Sequence, residues 1–83
     1  SGEINRTVSN PVELLERVKD HYLSDDPEIE SLDGYSFDFG EWRFNLRMSN
    51  TEPLVRLNVE SRDDVELMRS KTEEVLSLIE DLG

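Results

Sequence analysis

The chain contains no cysteine, which excludes a disulfide framework, a thiolate metal site and a cysteine nucleophile. Its single histidine, His21, is too little for a histidine-based metal site or a catalytic triad. Basic side chains are also scarce, because 9 Lys and Arg residues stand against 20 Asp and Glu residues and leave a net charge of −11. Such an acidic chain is not typical of proteins that bind nucleic acid or anionic membranes.

Long apolar runs are absent as well, and no segment approaches the ~18–20 apolar residues of a membrane-spanning helix. The N-terminus has no basic segment followed by an apolar one, so no secretory signal is indicated and a cytoplasmic location is expected. The 83 residues suffice for one small domain, 1–83, with a thin core. A deep, walled active site is not expected in a chain of this size.

The first of two amphipathic patterns runs from about Pro11 to Leu23 and predicts a helix. Asn10 is suited to cap this helix, Pro11 fits the first helical position, and Glu13 stands where a capping box has its second member. The apolar side chains that form the buried stripe of this helix are Leu15, Val18 and Tyr22.

The second amphipathic pattern runs from Asp63 to Leu82 and predicts a longer helix. We expect Asp63 to be its N-cap, with Glu66 as the reciprocal partner and Gly83 at its C-terminal end. Side chains spaced by three and four residues form its stripe: Val65, Met68, Thr72, Val75, Ile79 and Leu82.

Between these helices the apolar period changes from 3.6 to 2, which predicts β-strands. Asp33-Gly34 and Gly40-Glu41 are suited to tight hairpin turns. The predicted strands are a possible edge strand at Glu3–Val8, a weak strand at Ile29–Leu32, and strands at Tyr35–Phe39, Trp42–Met48 and Leu54–Glu60. The order β-α-β-β-β-β-α predicts an α+β domain, in which an antiparallel sheet of four to five strands has two helices packed on one face.

Positive charge is concentrated in the hairpin from Trp42 to Val59, whose three arginines and one glutamate give it a charge of +2. Aligning the apolar rows of its two strands places Arg47 opposite or diagonal to Arg56 on the solvent face. Like charges at that separation cost roughly 0.2–1 kcal/mol. An anion bound between the two arginines is the simplest way to offset that cost.

The turn of this hairpin, Ser49 to Pro53, offers two hydroxyl groups, an Asn that tolerates left-handed backbone and a Pro that restricts the exit. Such a loop can direct successive backbone N–H groups at one anion, and with Arg47 and Arg56 beside it the loop suits a dianionic phosphate. An ordinary polar loop flanked by solvated arginines is the alternative, and these residues alone do not separate the two interpretations.

The segment RMSNTEP at 47–53, with FGEWR at 39–43 before it and LVRL at 54–57 after it, resembles the C-terminal domain of the α-D-phosphohexomutases. In that family the corresponding loop of the fourth domain binds the phosphate of the substrate. Asn50, where other branches carry Gly, resembles the phosphomannomutase/phosphoglucomutase branch. The resemblance covers nearly the whole chain and extends through the final helix. A start at Ser1-Gly2 without Met agrees with a piece of a longer protein.

This resemblance implies that the chain binds the non-reacting phosphate of a hexose phosphate and contributes to closure of the active site. It implies Arg47 as the clamp, Ser49 and Thr51 as donors, Asn50 as a backbone donor that shapes the loop, and Arg56 as a second cation. The family's phosphoserine, metal and sugar-binding loops have no counterpart here, so we expect no catalytic residue, no metal site and no activity of this chain alone. Mg²⁺ is expected in the full-length enzyme, and the partners implied are its other domains.

Two alternatives come from other functional classes. The aromatic residues of the predicted sheet, Tyr35, Phe37, Phe39, Trp42 and Phe44, are also compatible with an RNA-binding sheet whose rings stack on bases. The charge of −11 argues against that interpretation, and core positions explain the rings more simply. The second alternative is a small interaction module without an enzymatic role.

Overall fold

The fold is taken from a computed structural model, which describes residues 3–31, 34–49 and 51–82. Within these ranges the chain forms five β-strands and two α-helices, in the order predicted from the sequence. The strands are β1 (Ile4–Thr7), β2 (Glu28–Glu30), β3 (Tyr35–Asp38), β4 (Trp42–Met48) and β5 (Leu54–Ser61), and the helices are α1 (Pro11–Tyr22) and α2 (Val65–Leu82). A short 3-10 turn at Leu23–Asp25 ends α1.

The strands form one antiparallel sheet with the order β1-β5-β4-β3-β2. The two longest strands, β4 and β5, pair in the middle, and two short strands, β1 and β2, lie at the edges. The possible edge strand ahead of the first helix is therefore confirmed, and it pairs with β5, the last strand along the chain. Both helices pack on the same face, so the α+β class and the two-layer arrangement are confirmed.

The core lies between the helices and the inner face of the sheet. Tyr22 of α1 is at its aromatic centre, with ring centroids 5.3 Å from both Phe39 and Phe44. The fully or nearly fully buried side chains are Val8, Leu14, Leu15, Val18, Tyr22, Phe37, Trp42, Phe44, Leu46, Val55, Leu57, Val59, Val75 and Ile79. Most of the sheet's aromatic rings therefore belong to the core.

The start of α1 agrees with the sequence prediction. The Asn10 side chain accepts a hydrogen bond from the Glu13 backbone N–H at 3.2 Å, which satisfies one of the free donors of the first turn. The Glu13 carboxylate accepts from the Asn10 side-chain amide at 3.4 Å. Asn10 and Glu13 are therefore joined by two hydrogen bonds, one from the Glu13 backbone to the Asn10 side chain and one between the two side chains.

The prediction for the start of α2 was wrong by one residue. Asp64 is the cap, because its Oδ1 accepts from the Leu67 backbone N–H at 2.9 Å. Asp63 instead has a φ of 49°, a left-handed conformation that Asp tolerates better than most residues. The chain needs this conformation to turn from β5 into the helix, and the cap moves one position along. The predicted helix end at Gly83 lies outside the described residues.

Two side chains predicted for the apolar rows are largely exposed. Val65, the first residue of α2, is 64% exposed, and Met48, the last residue of β4, is 42% exposed. Met48 pairs with Val55 as the predicted register requires. Periodicity gives the direction in which a side chain points, but it does not say how far the opposite layer extends, so burial was wrong at the ends of these elements.

The remaining strand predictions need small corrections. β2 begins at Glu28, one residue before the predicted start, and ends at Glu30. Leu32 and Asp33 lie outside the described residues. The Gly40-Glu41 turn is confirmed, since the Phe39 N–H donates to the Trp42 carbonyl at 2.9 Å. Neither helix is both long enough and apolar enough to cross a membrane, over the ranges that the structure describes.

Candidate functional site

The sheet has a second face without helices, which we call the open face. Along β4 it carries Arg43, Asn45 and Arg47, the residues that alternate with the buried row. On β5, Arg56 stands directly opposite Arg47 in the antiparallel register. The sequence predicted that these two arginines lie opposite or diagonal to each other, and the direct pairing confirms it.

The two arginines have different surroundings. Arg47 donates from Nη2 to the Glu3 carboxylate at 3.2 Å, and Glu3 lies just before β1. Arg56 is half-buried, and its Nε is fully buried without an acceptor among the described residues. A buried donor without an acceptor costs roughly 1–3 kcal/mol. The pair therefore combines repulsion with an unsatisfied hydrogen-bond donor.

The loop after β4 is held together by the hydroxyl group of Ser49. Its Oγ accepts from the backbone N–H groups of Thr51 and Glu52, both at 3.3 Å, and lies 3.5 Å from Thr51 Oγ1. The Ser49 N–H donates to the Leu54 carbonyl at 3.1 Å. Two successive amides thus point at one position, and in this structure the serine hydroxyl takes that position. Asn50 lies outside the described residues.

The edge strand also holds this loop. The Val8 N–H donates to the Pro53 carbonyl at 2.9 Å, and the Glu3 carboxylate reaches Arg47 from the other end of the same segment. The structure thus brings Arg47, Arg56, Ser49 and Thr51 to one end of the open face. Sequence reasoning missed Glu3, because it lies 44 residues from Arg47 and no sequence pattern connects the two.

Charge is segregated along the open face. At the end away from the loop, Arg43 forms an ion pair with Glu60 at 2.7 Å, and this hydrogen-bonded carboxylate raises the pKa of Arg43. A shallow cavity of about 450 Å³ lies over the face, with Asn45, Asn58 and Arg47 among its lining residues. Glu60 lies just outside the hairpin segment whose charge is +2. Arg43 and Arg47 thus each pair with a glutamate, and what distinguishes Arg47 is that it lies opposite a second arginine, Arg56.

Residues suited to metal binding do not converge. Among residues 3–31, 34–49 and 51–82, no group of three or more His, Asp or Glu side chains could hold a metal ion.

Two tyrosines have raised pKa values, Tyr22 in α1 and Tyr35 in β3. Burial raises the pKa of Tyr22 strongly, and its hydroxyl donates to Glu74 of α2 at 2.9 Å. The hydrogen bond from Tyr35 to Glu16 of α1 raises the pKa of Tyr35. The Tyr22 hydroxyl joins the two helices and the Tyr35 hydroxyl joins the sheet to α1, so we assign both a structural role.

Comparison with known proteins gives a consistent result. The sequence model of the family "Phosphoglucomutase/phosphomannomutase, C-terminal domain" matches residues 3–77. The chain is 54% identical over 79 residues to a phosphomannomutase from Escherichia coli, and 47% identical over 79 residues to one from Methanocaldococcus jannaschii. It is 52% identical over 79 residues to a phosphohexose mutase from Xanthomonas campestris. Each alignment covers 95% of this chain but only 17–18% of the relative.

Proposed function

Because this chain belongs to the phosphoglucomutase/phosphomannomutase C-terminal domain family, we propose that it binds the phosphate of a hexose phosphate within a larger mutase. The observation that carries the proposal is the direct pairing of Arg47 with Arg56 on the open face, beside the loop. The pairing brings two positive charges together in a chain of net charge −11. A bound dianion offsets their repulsion and offers an acceptor to the Arg56 guanidinium group.

Each residue has a role that follows from its donors. Arg47 presents a planar guanidinium that can bind two phosphate oxygens at once, and Arg56 adds a second positive charge. Ser49 and Thr51 supply hydroxyl groups, and the amides of Thr51 and Glu52 already converge. For the phosphate to use those amides, the Ser49 hydroxyl has to rotate away from them. An arginine has five N–H donors, so the contact of Arg47 with Glu3 does not by itself exclude a contact with the phosphate.

The proposed contribution to turnover is binding energy and closure of the active site. A mutase that moves a phosphoryl group between two positions of a sugar must hold the phosphate that is not reacting, in both orientations of the substrate. Such a site needs charge and directed donors, and no general base. Binding energy gained there helps align the reacting end of the sugar, so its loss lowers kcat as well as raising KM.

The rest of the reaction belongs to other parts of the enzyme in this proposal. The chain spans about 17% of the length of the curated phosphomannomutases that it matches. We propose that residues 1–83 form one domain, that the missing domains provide the phosphoserine, the Mg²⁺ and the recognition of the sugar, and that this chain alone is inactive. We further propose that the hexose phosphate is mannose or glucose 1- or 6-phosphate and that the protein is cytoplasmic.

The nucleic-acid alternative has little support from the described residues. An RNA-binding sheet needs exposed aromatic rings on its surface, but Phe37 is 0%, Phe44 1% and Trp42 7% exposed. These rings face the helices, and the open face carries charged and polar side chains instead.

The proposal can be tested by titrating the ¹⁵N-labelled chain with inorganic phosphate and following its amide resonances. We expect the largest shifts at Ser49, Asn50 and Thr51, and we expect Arg47→Ala to abolish them. Arg43→Ala is the matched control, because it removes an arginine from the same strand and the same face. Shifts scattered over the acidic helices, or equal losses in the two variants, would contradict the assignment of the site.

A further inference from the structure

Gly34 packs against the backbone of Arg47 more closely than any other residue type could. Tyr35 pairs with Leu46, so the residue before Tyr35 comes to lie beside Arg47. A Cβ atom added to Gly34 would lie 2.7 Å from Arg47 Cβ, 2.8 Å from Arg47 Cα and 2.7 Å from the Leu46 carbonyl oxygen. None of these atoms is the free end of a flexible side chain. A side chain at position 34 would therefore have to move the strand that carries Arg47.

A second glycine separates the two reasons for which Gly34 could be required. Both Gly34 and Gly40 have positive φ, 105° and 91° respectively, a conformation that side chains disfavour. A Cβ atom at Gly40, however, would have no atom within 4 Å. Backbone conformation is therefore the constraint at Gly40, whereas at Gly34 the close approach to Arg47 is an additional one.

We propose that Gly34 is a positioning residue for Arg47. Because Gly34 has no side chain, β4 can lie close to it, and this fixes the Cα and Cβ positions from which the Arg47 side chain extends. Restoring an ordinary contact of 3.4 Å to the Arg47 Cβ requires a displacement of about 0.7 Å. Binding groups must be held within ~0.5 Å of their productive geometry. A shift of that size moves Arg47 relative to Arg56 and to the loop. This inference rests on the proposed phosphate site for its functional consequence, but its structural part can be measured separately.

The test compares Gly34→Ala with Gly40→Ala, since both substitutions introduce a Cβ at positive φ. We expect Gly34→Ala to weaken the binding of inorganic phosphate at least about fivefold, and Gly40→Ala to leave it within about twofold. The Arg47 Nε–Hε resonance, recorded without phosphate, should move in the first variant only. Thermal unfolding of both variants checks that each is fully folded at the temperature of the titration, so a difference in binding cannot come from unfolded chain.

Further measurements separate failure of this inference from failure of the proposed function. If the wild-type chain binds phosphate and Gly34→Ala binds equally well, the positioning role is wrong and the phosphate site stands. If the wild-type chain does not bind phosphate, the proposed function is wrong, and the Arg47 Nε–Hε resonance alone decides whether Gly34 positions that side chain. Gly34→Asn is a second variant, because Asn tolerates positive φ better than Ala.

Should both variants at position 34 fail to fold, the wild-type chain still gives an answer. The close approach predicts strong nuclear Overhauser contacts from the Gly34 Hα atoms to Arg47 Hα and Hβ. Their presence supports the positioning role, and their absence overturns it.

Discussion

Replacing Arg56 with methionine should stabilise the chain in the absence of phosphate and remove the stabilisation that phosphate provides. The substitution ends the repulsion with Arg47, worth roughly 0.2–1 kcal/mol. It also removes the buried Nε donor that has no acceptor among the described residues, worth roughly 1–3 kcal/mol. Methionine keeps an unbranched stem that can pack where the arginine stem packs.

Both gains are partial, because Arg56 is only half-buried and its charged head loses hydration when it is replaced. We therefore expect a net increase of about 1 kcal/mol in the free energy of unfolding. For a chain of this length, that change raises Tm by roughly 4–8 °C. Phosphate should reverse the order, since a ligand at ten times its Kd stabilises a binding-competent chain by about 1.4 kcal/mol.

Urea unfolding followed by Trp42 fluorescence measures both effects in low-salt buffer, with chloride at matched ionic strength replacing phosphate as the reference. Arg43→Met is the control, because it removes an arginine from the same face whose exposed ion pair with Glu60 contributes little, so it should not raise the free energy of unfolding. The reasoning is refuted if Arg56→Met lowers the free energy of unfolding by more than about 1 kcal/mol, or if phosphate stabilises the variant as much as the wild type.

Two further predictions concern the helical layer. Asp64→Ala should destabilise the chain by about 1 kcal/mol in thermal or urea unfolding, because it removes the N-cap of α2. Asp63→Gly should be nearly neutral, because Asp63 has positive φ and is not the cap. Equal effects of the two substitutions would contradict the assignment of the cap. Tyr22 has a raised pKa in the folded chain, so the folded state holds its proton more tightly than the unfolded state does. The contribution of Tyr22 to the free energy of unfolding is therefore fully present below about pH 10, the unfolded pKa, and falls above it by up to about 1.4 kcal/mol per pH unit. Tyr22→Phe should remove that part of the alkaline slope in unfolding experiments between about pH 9 and 11.5, and an unchanged slope would refute the linkage.

Much of the fold follows from local patterns in the sequence. Alternation of apolar residues in β4 and β5 is strict, and a slip of one residue would expose the entire buried row, so the apolar rows alone predict that Arg47 and Arg56 lie side by side. Helix caps are less well determined when two candidates are adjacent. Asp63 and Asp64 are chemically equivalent, and only the backbone turn from β5 decides which one caps α2.

The parts of the candidate site that sequence could not supply are contacts between distant segments. Glu3 meets Arg47 because β1 joins the far side of β5, and nothing local determines that pairing. Local sequence predicts a turn at Gly34, which agrees with its positive φ, but its contact with Arg47 depends on the register between β3 and β4. Sequence periodicity predicts which side chains share a face of the sheet. The contacts that hold those side chains in place depend on how the strands pair.

The position of β1 at the sheet edge has a consequence for how well the candidate phosphate site is ordered. This four-residue strand is followed by the amide that holds the Pro53 carbonyl and is preceded by the carboxylate that holds Arg47. Edge strands open more readily than central ones, and a brief detachment of this one would release both restraints together. Fraying of the first strand would therefore free the loop and Arg47 at the same moment from their contacts with the edge, leaving the hydrogen bonds of Ser49 as the restraints on the loop.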